Sequence, residues 1–111
     1  MKRRAQLEVT DFIRNAWKVG VERDVHQILT QVMTQNGQWL LNHLLKVGKV
    51  ECPVQFLPEI SINTQNEQMD LAVKHGLVRR EQEPGELHRT FYLVNPDYDG
   101  ALKKILPELL S

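Results

Sequence analysis

Gln65, Asn66 and Gln68 sit within four consecutive positions, each ending in a carboxamide. Paired donor and acceptor atoms of that kind suit the edge of an adenine, which offers an acceptor and a donor side by side. A short way on, Lys74, Arg79, Arg80, His88 and Arg89 supply cations and a titratable imidazole. Such groups can neutralise backbone phosphates. Amides for base edges and cations for phosphates are the chemistry of a nucleic-acid contact. The alternatives stand beside it: a solvated amide face, and arginines paired across strands with Glu81 or Glu86.

Other chemistry finds little support. The histidines, His26, His43, His75 and His88, contain no pair at i, i+4 on one helix, and there is no H-E-x-x-H or C-x-x-C motif. No catalytic residue, metal site or cofactor is expected, and the chain reads as a non-enzyme. Cys52 is the single cysteine and cannot close an internal disulfide, so a reducing, cytoplasmic setting is expected. No apolar run approaches the roughly 18 residues that span a bilayer, and no membrane partner is expected. The basic start at Lys2-Arg3-Arg4 lacks the apolar stretch of a secretory signal and reads as a mobile tail.

These groups need elements to hold them. A first helix is expected over Thr10–Lys18, with Phe12, Ile13, Ala16 and Trp17 on one face and Gly20 interrupting. A second runs from Asp24 to about Gln35, where Val25, Ile28, Leu29, Val32 and Met33 form one apolar stripe. Asn36-Gly37 reads as its stop. The stripe fits a core face or a dimer interface. A third helix, Gln38–Lys46, is apolar around most of its circumference and belongs near the centre, with Gly48 as a left-handed cap.

A short strand is expected at Lys49–Glu51, then a brief helix over Val54–Glu59 introduced by Pro53. Thr64 and Glu67 form an S/T-x-x-E capping box, which starts a helix at Gln65. Met69, Ala72 and Val73 face inward and Gly76 closes that helix. Leu77–Gln82 and Leu87–Val94 then pair as a hairpin around Glu83-Pro84-Gly85-Glu86, with Phe91 and Leu93 toward the core. Asn95-Pro96 ends the strand and caps a last helix. Its stripe is Leu102, Ile105, Leu106, Leu109 and Leu110, and Pro107 limits its regularity.

This order, helix, short helix, capped polar helix and two-stranded hairpin, resembles a winged helix-turn-helix. The resemblance covers about Gln38 to Pro96. Its most specific part is "LAVKHGLVRRE", which looks like the recognition helix running into the wing of MarR- or PadR-like regulators. Gly76, Leu77, Val78, Arg79 and Arg80 match that pattern, and "RTFYLVNP" is similar to the returning wing strand. The resemblance implies a mostly α fold with a small β-hairpin (α+β). Residues 1–37 would be an N-terminal helical extension for packing or dimerisation, 38–96 the winged-helix domain and 97–111 a C-terminal helix, all within a single compact domain. It also implies a small DNA-binding transcriptional regulator acting as a homodimer.

Charge pulls the other way. Fourteen basic side chains balance fourteen acidic ones, whereas strong phosphate binders are usually basic. Glu67 and Asp70 lie on the helix in question, and Glu81, Glu83 and Glu86 lie in or near the wing tip. These carboxylates favour the competing expectation: a winged-helix module that binds a protein partner, or a small subunit of a larger assembly, nucleoprotein assemblies included. Tyr92, Tyr98 and the Leu102–Leu110 stripe would then be its contacts.

Overall fold

The computed structural model describes residues 2–55, 57–85 and 88–111, with the side chains of 2–15 outside the description. Four helices and three strands follow in the order α1 (Lys2–Gln31), α2 (Gln35–Val47), β1 (Lys49–Glu51), α3 (Ile62–Lys74), β2 (Val78–Gln82), β3 (Thr90–Val94) and α4 (Pro96–Leu110). The antiparallel sheet has the order β1-β3-β2, so the expected hairpin gains β1 as a third strand. This is an α+β winged-helix fold.

The N-terminal region is one helix, not two. Gly20 does not interrupt α1, and residues 2–4 belong to it. A mid-helix glycine costs only about 1 kcal/mol against alanine. The packing of Val25 and Leu29 into the core, and of α1 against α4, outweighs it. At 1.5 Å per residue, 30 residues make a rod about 45 Å long. The helix ends at Gln31, ahead of the expected stop. Thr34 caps α2, its hydroxyl accepting from the Gly37 amide at 3.3 Å. Asn36-Gly37 therefore lies in the first turn of α2. Gly37 is there because of crowding: a Cβ on it would sit 2.2 Å from Gln68 Oε1.

α2 is the central helix, as its composition implied, with Leu40, Leu41 and Leu44 fully buried; Trp39 points outward and is 45% exposed. Around it pack Met69 and Ala72 of α3, Leu77, Val78 of β2, Tyr92 of β3, and Leu102, Ile105 and Leu106 of α4. The stripe on α4 is thus core, and the helix runs through Pro107 to Leu110. The Asn95 cap accepts from the Asp97 amide at 3.1 Å, and its own Nδ2 donates to the Gly76 carbonyl at 2.8 Å. Gly76 adopts φ +83°, which lets the chain leave α3 and enter β2.

The inward face of β3 is the opposite of the one expected. Tyr92 and Val94 pack on the core, while Phe91 and Leu93 lie on the sheet's outer side in register with Glu81 and Arg79. Phe91 stays buried because Lys49 and Arg89 cover its ring, at 4.5 and 5.3 Å from its centre. Glu86 and Leu87, named in the expected turn and strand, lie outside the described residues.

Candidate nucleic-acid interface

α3 begins three residues before the expected start. Ser61 is its N-cap, its hydroxyl accepting from the Thr64 amide at 3.2 Å. Thr64 lies inside the first turn instead of capping it. Gly76 ends the helix as expected.

Two of the three amides do not face solvent. Gln65 is 1% exposed and Gln68 is 7% exposed. The reason is helical phase: Gln65 stands four residues before Met69, and Gln68 four before Ala72, so both fall on the stripe that enters the core. Each amide is used internally. Gln65 Nε2 donates to the carbonyls of Leu57 and Ile60 at 2.7 and 2.6 Å, and its Oε1 accepts from the Leu57 amide at 3.3 Å. Gln68 Oε1 accepts from the Thr34 amide at 3.0 Å. Asn66, half-buried, accepts from the Val54 amide at 2.9 Å and donates to the carbonyls of Val54 and Ile62.

These amides take the place of a missing element. The expected helix over Val54–Glu59 is absent among the described residues, where Leu57–Ile60 forms a turn. The Cys52–Pro53 peptide is cis. A segment without helical hydrogen bonds must satisfy its backbone elsewhere. Here α3 does so, at Val54, Leu57 and Ile60.

The outward face of α3 carries Asn63, Glu67, Asp70 and Lys74, at i, i+4, i+7 and i+11, all exposed. Asn63 is not among the expected site residues because a capping box read at Thr64 places the helix start after it. The spacing from Met69 and Ala72 holds the signal: a polar residue six before Met69 falls on the far side.

A cleft of about 580 Å³ separates α3 from the wing, lined by Glu51, Cys52, Asp70, Arg80, His88, Arg89 and Tyr92 among others. Arg80 reaches across it and pairs with Asp70. The Tyr92 hydroxyl donates to the same carboxylate oxygen at 2.7 Å and accepts from Arg80 at 3.0 Å. Burial of Tyr92, with its hydrogen bond to Asp70, pushes the phenol up to about 12. Burial also raises the Cys52 thiol, which keeps it protonated. Arg89 forms a two-pronged pair with Glu51, Nε to Oε1 at 3.0 Å and Nη2 to Oε2 at 2.8 Å. Hydrogen bonding from Arg89 holds the Glu51 carboxyl below its ordinary range. Arg80 and Arg89 thus find carboxylates on α3 and β1 and not Glu81, one of the alternatives weighed; Glu86 lies outside the described residues.

His88, at φ +48°, stands 3.4 Å from Gln82 through Nδ1. Lys74 and Arg79 are exposed and, among the described residues, have no ion pair. Among the described residues, the exposed charges of α3, the sheet and its turn balance: Lys49, Lys74, Arg79, Arg80 and Arg89 against Glu51, Glu67, Asp70, Glu81 and Glu83.

With the geometry set out, three solved structures can be placed beside it. Disulfide-formed AbfR superposes with a TM-score of 0.55 at 15% identity, over 97% of this chain and 79% of that one. A cysteine-to-serine mutant of MarR from E. coli, complexed with operator DNA, gives 0.57 at 13% identity, over 96% and 76%. A probable transcriptional regulator from Pseudomonas aeruginosa gives 0.51 at 17%, over 90% and 80%. No protein-family model matches the chain, and no curated protein matches it. The architecture is therefore a winged helix, similar in fold to these three structures.

Proposed function

We propose that this chain is a DNA-binding transcriptional regulator that works as a homodimer in the cytoplasm. The observation that carries the reading is one face on which an exposed polar stripe of α3 lies beside arginines of the wing, across a single open cleft. The MarR structure with operator DNA supports it by fold alone. In this reading α3 enters the major groove. Asn63 suits an adenine edge. Asn66 and the buried Gln65 and Gln68 act by holding α3 in place. Lys74, Arg79, Arg80, His88 and Arg89 contact phosphate.

The second copy docks on the exposed side of α1. Trp17 is 71% exposed and Val19 is 63% exposed, a large apolar pair on a long helix. A groove of about 440 Å³ between α1 and α4, lined by Trp17, Val21 and Ala101, continues that surface. Residues 1–37 then serve dimerisation, 38–96 DNA contact, and 97–111 the brace between them.

Selection from a random duplex library, followed by anisotropy titration, tests the reading. A selected site should bind about a thousandfold or more tighter than arbitrary duplex. Alanine at Asn63 should relax its sequence preference. Equal affinity for every duplex would defeat the regulator assignment.

The charge balance of the face favours a second reading, a winged-helix module that binds protein. On α4, Leu102, Ile105 and Leu106 are buried and Leu109 and Leu110 pack against the core, so the stripe no longer offers a contact. Trp39, Val47 and Ile62, each about half exposed, are the alternative apolar contacts. This reading expects no retention of any duplex even near 50 mM salt, where phosphate contacts are strongest.

A further inference from the structure

We propose that Asp70 and Glu51 form a carboxylate clamp that holds the wing arginines out of indiscriminate phosphate contact. The proposal rests on the DNA-binding reading, and deepens it. Both pairs line the same cleft, and all four side chains are accessible: 48% and 55% for Arg80 and Asp70, 46% and 47% for Arg89 and Glu51. A phosphate can therefore reach either guanidinium, but meets its carboxylate as well.

The carboxylates come from elements with their own anchors. Asp70 is fixed on α3 and Glu51 on β1, which pairs with β3 through Lys49–Glu51. They do not withdraw when an anion arrives. Each arginine is also held from the side by an aromatic ring: Arg80 by Tyr92 at 5.3 Å and Arg89 by Phe91 at 5.3 Å. The Tyr92 hydroxyl closes a triangle with Arg80 and Asp70, which fixes the pair in one geometry.

A paired arginine releases fewer counterions from DNA than an unpaired one, because its charge is already balanced. Non-specific affinity, which is almost wholly electrostatic, falls accordingly. Stable binding then needs base contacts from α3 in addition. Glu67 supplies the internal comparison. It lies on the same exposed face as Asp70 but has no ion pair among the described residues.

The experiment measures binding of the full chain to one arbitrary duplex across a salt series, and its elution from a heparin column. The variants are Asp70→Asn, Glu51→Gln and Glu67→Gln, each removing one charge. Asp70→Asn and Glu51→Gln should each tighten duplex binding about three- to fivefold. Each should steepen the logarithmic salt slope by about one, the signature of one more phosphate contact. Both should elute from heparin at higher salt than Glu67→Gln. A purely structural brace would give the opposite: lower melting temperatures with binding unchanged or weakened. The clamp is overturned if Glu67→Gln matches the other two, or if either clamp variant binds more weakly. Should neither wild type nor variants bind any duplex, the DNA reading fails. The heparin column then decides the clamp alone: later elution of the two clamp variants upholds it, and co-elution with Glu67→Gln overturns it.

Discussion

The two faces of α3 are made of similar residues and do different work. The inner face carries Gln65 and Gln68, which bond to backbone at Leu57, Ile60 and Thr34. The outer face carries Asn63, Glu67, Asp70 and Lys74, open to solvent except for the Asp70 pairing. A polar side chain on a helix is therefore no guide to contact with a ligand until its phase against the apolar stripe is known. Buried polar groups are held to their partners by the cost of leaving them unsatisfied.

The comparison breaks most readily on the inner side. Gln65→Ala should lower stability by about 2 kcal/mol, because the part-buried Ile60 carbonyl and Leu57 amide lose the bonds it makes to them, and the Leu57 carbonyl keeps only the Ile60 amide. Denaturant unfolding measures it, and a loss under about 1 kcal/mol would mean that water replaces the carboxamide. Gly37→Ala should cost about 2 kcal/mol, since the new methyl would press on the Gln68 carboxamide. The same unfolding assay reads it, and pairing it with Gln68→Ala should recover part of the loss.

Tyr92 stands at the boundary of the two faces. Tyr92→Phe should cost about 1 kcal/mol, the value of a typical hydrogen bond. The pH dependence carries the sharper test. The phenol is raised from 10.0 to about 12 in the folded protein, so the unfolded chain ionises first. Its contribution is fully present below pH 10 and is lost as pH rises through about 12. An ultraviolet titration should show one tyrosinate forming near pH 12, and that step should vanish in Tyr92→Phe. The smallest effect belongs to the outer face. Asn63→Ala should change stability by less than about 0.5 kcal/mol. A larger loss would place Asn63 with the inner amides.

Much of the fold was legible. The cap at Asn95, the positive-φ exit at Gly76 and strand β1 stand where residue type and spacing put them, while the returning strand begins at Thr90 instead of Leu87 and turns its other face inward. What escaped depended on distant partners. Gly20 reads locally as a break, yet packing on α4 carries α1 through it. Gly37 reads as a stop, yet its role is to admit the Gln68 side chain from 31 positions away. For the candidate site, the wing arginines were named from sequence, but their partners Asp70 and Glu51 were not. Ion pairs between elements leave no local spacing to read. The amides were misplaced for a simpler reason: their chemistry points to a base edge, but their phase against Met69 and Ala72 turns Gln65 and Gln68 inward.

The bracing of the turn before α3 has a consequence for grafting. The backbone at Val54, Leu57 and Ile60 takes its path from carboxamides on the following helix. The two segments are therefore one transplantable cassette, although only one is helical. Respecifying the surface of α3 can proceed at positions 63, 67 and 74 without disturbing the scaffold, whereas Asp70 is tied to Tyr92 and Arg80. Swapping the whole helix for a foreign one would strip the preceding turn of its supports, unless that turn were exchanged along with it.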